Sequence, residues 1–87
     1  MPIGRVGWRK RVRVVGQVHS MRIQPLAGVA TLECVLFDDT GGLSIVFLGR
    51  RHVAGVDIGS RMLVEGIVGD FHGRLAILNP VYQLLES

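Results

Sequence analysis

The sequence predicts an all-β domain, a small and strongly coiled barrel, on three observations. β-Branched residues dominate between frequent, spaced glycines, 12 in a chain of 87 residues. No window carries a helical period over three turns. Two of the strand-like runs hold a glycine at mid-strand, Gly16 and Gly66. A small sheet needs bulges and glycine kinks of this kind to coil and close.

The first strand is expected over about Lys10–Arg22, "KRVRVVGQVHSMR". Val12, Val14, Gly16 and Val18 share one face, and Arg11, Arg13, Val15, Gln17 and His19 the other. "IQPLAG" reads as a loop, because Pro25 cannot sit in a central strand. Strands two and three follow over about Val29–Asp38 and Gly42–Gly49, joined by "DDTG". "RRHVAGVDIGS" is an irregular connection with room for one helical turn. Strand four covers about Arg61–Gly69, "DFHG" is a tight turn, strand five covers about Arg74–Leu78, and "NPVYQLLES" closes the chain. The segments "VVGQV" and "VEGIV" echo each other as convergent curvature; their flanks do not match.

Length allows one domain, residues 1–87, with the barrel over about 10–80, a short basic arm at 1–9 and a tail at 81–87. A core of this size is marginal, and hydrophobic residues make up 48% of the chain, so apolar surface meeting a partner is expected. The formal net charge is +3, and the imbalance is local. Arg5, Arg9, Lys10, Arg11, Arg13 and Arg22 all precede the first acid, Glu33, which suits a polyanionic partner or a merely solvated face. The single Cys34 excludes an internal disulfide and fits the cytoplasm. An apolar region behind the basic start is missing, so no signal peptide is expected. No run approaches the ~18 apolar residues of a membrane span.

Asp39-Thr40-Gly41 is the triplet of aspartic proteases, in which two chains each supply one carboxyl. Its surroundings argue for a hairpin turn instead: Gly42 follows, and the apolar-glycine motif "FLGR" arrives within the paired strand. His19, His52 and His72 are scattered away from Asp38 and Asp39, so neither a metal nor a cofactor is expected. Ser20, Ser44 and Ser60 lie in no nucleophile elbow. Cys34, between apolar neighbours, reads as an inert thiol. The chain is therefore expected not to be an enzyme.

"FDDTGGLSIVFLG", "IGSRMLVEGIV" and "LAILNPVYQLL" together resemble the OB-fold wedge domain of RecG-type helicases and small stand-alone bacterial OB-fold proteins. The front half, "RVRVVGQVHSMR" with "LECVLFDDTGGLSIVF", resembles the anticodon-binding domain of aspartyl-type tRNA synthetases. The resemblance covers about residues 9–85, and it departs from the synthetase pattern at Pro25 and Leu26, where polar residues are usual. It implies a single OB-fold, a five-stranded Greek-key β-barrel, whose strand two–three face meets oligonucleotides.

Alternation puts Leu32, Cys34 and Leu36 on one face of strand two and Leu43, Ile45 and Phe47 on one face of strand three, and the OB resemblance implies that these sets pack the barrel. The outward set is then Glu33, Val35, Phe37, Ser44, Val46 and Leu48. Two functions compete for that face. The first is non-catalytic binding of single-stranded DNA or RNA with low sequence specificity. Here Arg11, Arg13, Arg22, Arg50, Arg51 and Arg74 neutralise phosphates, Phe37 and Phe71 stack on bases, and Ser44 and His72 line the contact. The second is a protein-interaction module that forms a homo-oligomer through Val35, Val46 and Leu48. Phe71 stands at a turn tip as a contact or folds back over the rim, and Trp8 is an arm or a plug of the open end.

Overall fold

A computed structural model describes residue 3, residues 9–71 and residues 73–85. The described chain is all-β, with six strands: β1 (Arg11–Leu26), β2 (Val29–Asp38), β3 (Gly41–Leu48), β4 (Arg61–Phe71), β5 (Arg74–Leu78) and β6 (Val81–Leu85). They form one sheet in the order β1-β2-β3-β5-β4-β6, and a further β1–β4 pairing brings the series back on itself. All neighbours are antiparallel except β3 and β5, which pair in parallel through Ser44–Val46 and Ala76–Leu78.

The length of β1 lets it serve two partners. Arg11–Gln17 pairs with β4, and Gln17–Leu26 pairs with β2. The handover falls at Gly16 and Gln17. A Cβ on Gly16 would stand 3.1 Å from the Phe37 carbonyl oxygen and from Leu36 Cβ, so only glycine lets the strands approach there. The β1–β2 register then slips between Val18 and Ser20, leaving His19 as a bulge.

Two expectations about boundaries are corrected. Pro25 is part of β1, opposite Ala30. Beyond Gln17 that strand has no strand neighbour on its second edge among the described residues, and an edge tolerates a residue without an N–H. The reversal to β2 is a two-residue turn, Ala27-Gly28, with φ of 50° and 80°, as primed hairpin turns require. The C-terminal stretch is not a tail: β6 pairs with β4 from Arg61↔Leu85 to Glu65↔Val81. β5 and β6 run along the same strand as successive halves of one bent ribbon, since residues 78–80 stand opposite only residues 66–67. Asn79 turns the bend at φ 48°. Its N–H donates to the Val46 carbonyl at 2.7 Å, and its Oδ1 accepts from the Leu48 N–H at 2.9 Å.

Inside the ring lies one apolar core. Val12, Val14 and Val18 of β1, the six alternate residues expected from β2 and β3, Met62, Val64, Val68 and Ile77 are all buried together. Gly66 is required here as well, because a Cβ would meet Ile77 Cγ2 at 2.5 Å. The connection 49–60 has no helix. It tucks Val53 and Val56 into the core, and Ile3 joins from the N-terminal side.

Candidate functional site

The outward face of β2 and β3 divides into three zones. The first is apolar and covered. Val46, expected as an exposed interface residue, is fully buried in a second cluster with Phe71 and Ala76. Phe71 is the last residue of β4, and it folds back on the sheet rather than standing out from a turn tip. The expectation of Val46 as an accessible contact is therefore corrected, and Phe71 is the reason. Val35 is half-buried, and Leu48 remains exposed.

The second zone is charged. Glu33 points outward as alternation predicts, yet only 2% of its surface is exposed. Arg22, its cross-strand partner on β1, donates Nε–H to Oε1 at 3.1 Å. Arg74, from β5, donates an Nη2–H to Oε2 at 2.8 Å. One carboxylate thus holds two arginines whose side chains stay about half exposed, at 52% and 46%. Burying a carboxylate is costly unless it is paired and hydrogen-bonded, and both conditions hold here.

The third zone is aromatic. Phe37 is 44% exposed at the end of β2. Its partner in register is Gly42, where a Cβ would stand 3.0 Å from the ring, so the missing side chain leaves room for the ring to lie against β3. On its other flank His19 packs with ring centroids 4.7 Å apart and planes tilted by 47°. His19 is the residue at which the β1–β2 register slips, and it stays exposed beside Phe37. A groove of about 410 Å³ opens beside this pair, lined by Val35, Phe37, Leu43, Ser44, Arg74 and Leu75.

The other expected site residues lie elsewhere. Arg11 and Arg13 belong to the half of β1 that faces β4, where Arg11 pairs with Glu65 at 2.9 Å. Arg50 and Arg51 are exposed in the connection after β3, Arg50 beside Leu48 and Asn79. Arg22, Phe37, Ser44 and Arg74 are thus on one face. Arg11 and Arg13 are on another, and His72 and Trp8 lie outside the described residues. The residue missed is His19. A histidine that strict alternation leaves on the solvated side of a strand gives no sign of the register slip at that position.

The Asp-Thr-Gly triplet is turn chemistry. Asp38, not Asp39, does the bonding. Its Oδ2 accepts the Ile3 N–H at 2.8 Å, and its Oδ1 accepts from the N–H groups of Thr40 at 2.7 Å and Gly41 at 3.1 Å and from the Thr40 hydroxyl. The Ile3 N–H foremost, then these turn donors, hold its carboxyl down at about 2. Burial, and secondarily the Glu33 charge, push the Cys34 thiol up to about 11, so it stays protonated and unreactive near neutrality.

No protein-family model matches the chain, and no curated protein is significantly similar to it.

Proposed function

We propose that the chain is an OB-type Greek-key barrel that binds single-stranded DNA or RNA on the outer face of β1, β2 and β3, without catalysis. The observation that carries this reading is Phe37. Large aromatic rings of small domains are ordinarily consumed by the core, yet this one is left in water, braced by Gly42 and His19, beside an open groove with an arginine at its rim. Base stacking needs such a platform, and phosphate attraction needs cations around it. The exposed Arg50 and Arg51, in the connection after β3, are the cations this reading assigns to phosphates.

The test is a fluorescence-anisotropy titration with labelled single strands of about 20 nucleotides, longer than the site of one such fold. Phe37→Ala should weaken binding by about 1–3 kcal/mol and leave the salt slope nearly unchanged. Wild-type protein that binds no DNA or RNA strand at low salt and micromolar concentration refutes the reading.

A second reading, a self-associating interaction module, is favoured by the exposed pair Leu48 and Leu78, at the ends of the β3–β5 pairing. With Val46 covered, Leu48→Lys is the variant that would shift mass toward monomer in light scattering.

A further inference from the structure

We propose that Arg74, braced on Glu33 against Arg22, reads a base rather than a phosphate, and that the site prefers guanine in a single strand; this rests on the nucleic-acid reading above. Sequence reasoning treats each arginine as a phosphate contact. The structure gives Arg22 and Arg74 a different character from Arg50 and Arg51. Both donate to one buried carboxylate, through Nε in Arg22 and Nη2 in Arg74. The three groups together carry one positive charge rather than two.

That arrangement disfavours an anion. A phosphate on Arg74 would sit across the same guanidinium from the Glu33 carboxylate, two like charges sharing one cation. A neutral ligand with adjacent acceptors meets no such repulsion. The brace also removes freedom, since a guanidinium tied at one nitrogen presents its remaining donors from a fixed plane. The groove at its side fits the same ligand. Val35, Phe37, Leu43 and Leu75 give it apolar walls, which suit a flat ring and not a solvated phosphate.

The base is selected by the fork. Guanine places two acceptors, O6 and N7, side by side, and arginine matches them bidentately. Adenine has a donor beside N7, and thymine or uracil offers one acceptor on that edge. Cytosine pairs two acceptors only on its Watson–Crick edge and brings a smaller ring to Phe37. The expected order is guanine, then cytosine, then the rest.

The test uses oligothymidylate and oligouridylate hosts carrying one central guanine, 7-deazaguanine, adenine or cytosine, titrated against the whole chain. Wild type should favour the guanine strand over the unsubstituted host by at least about fivefold. 7-Deazaguanine, which lacks only N7, should lose most of that preference. Arg74→Lys should abolish the preference with no change in salt slope, whereas Arg51→Gln should flatten the slope for every strand alike. Equal affinity for all strands overturns the inference and leaves nucleic-acid binding standing. So does a guanine preference that survives Arg74→Lys or 7-deaza substitution. Should Arg74→Lys fail to fold, the wild-type comparison of guanine with 7-deazaguanine decides alone. Absence of binding by any strand overturns both readings.

Discussion

The two halves of β1 carry the same kind of ion pair in opposite settings. On the half beside β4, Arg11 meets Glu65, and both side chains are open to water, 61% and 38% exposed. On the half beside β2, Arg22 meets Glu33, whose side chain is 2% exposed and has Arg74 on its other oxygen. Residue types and contact distances hardly differ. The difference is made by neighbours: β5 arrives next to β3 and brings Arg74, and Phe71, at the end of β4, folds in against Val46 and Ala76. A solvated pair contributes little and is screened by salt, whereas a buried carboxylate depends on its partners. Only the second pair can hold a guanidinium in a fixed place.

The largest effect comes from stripping that carboxylate of both partners. Arg22→Leu with Arg74→Leu leaves the Glu33 carboxyl beneath the sheet surface without its two arginine donors and should cost about 3–5 kcal/mol. For a domain of this size each 1 kcal/mol is worth roughly 4–8 °C in Tm, so thermal denaturation reads it easily. Adding Glu33→Leu should restore much of the loss, because a buried ion network is replaceable by apolar side chains. A triple variant no more stable than the double would contradict the contrast between the two halves.

Much of this contrast was illegible in the sequence, for identifiable reasons. Period-two alternation split β2 and β3 into two sets, of which the one the resemblance turns inward lies in the core, and the glycine at the middle of β1 stands where that strand changes partners. Alternation is local, so it reports which way a side chain points and not what later covers it. Glu33 and Val46 both point outward and both are buried, by residues 41 positions away in the case of Arg74 and Glu33. The bulge at His19 was hidden because a register slip has no composition of its own. Pro25 reads as a loop marker in the sequence, yet it lies on the part of β1 that, among the described residues, has no second strand neighbour.

Asp38 sharpens the comparison as a carboxylate held by N–H groups instead of by arginines. Its partners are the Ile3 N–H and the turn donors, and they keep its pKa near 2. The folded value lies below that of an unfolded aspartate, about 3.9. Stability carried by the ionised form is therefore complete above pH ~4 and is lost as pH falls toward about 2. Asp38→Asn should flatten that part of the stability–pH curve. Denaturant midpoints of variant and wild type at pH 7 and pH 2.5 measure it. An unchanged acid limb in the variant would mean that the turn does not depend on this carboxylate.

The smallest effect is expected from the pair that looks most like a salt bridge on paper. Arg11 reaches Glu65 through two nitrogens, at 2.9 and 3.0 Å, but from a largely solvated position. Holding two long side chains in one geometry costs entropy that nearly cancels the attraction in water. Arg11→Gln should therefore change stability by less than about 1 kcal/mol, and the change should fade as salt is raised toward 1 M, where the Debye length shrinks to about 3 Å. Its effect on oligonucleotide binding should be equally slight, because Arg11 lies on the β4-facing half of β1, away from Phe37. Denaturant unfolding and anisotropy on the same variant separate the two outcomes. A loss of binding comparable to that of Phe37→Ala, without loss of stability, would move the interface to the opposite half of β1 and end the distinction drawn between them.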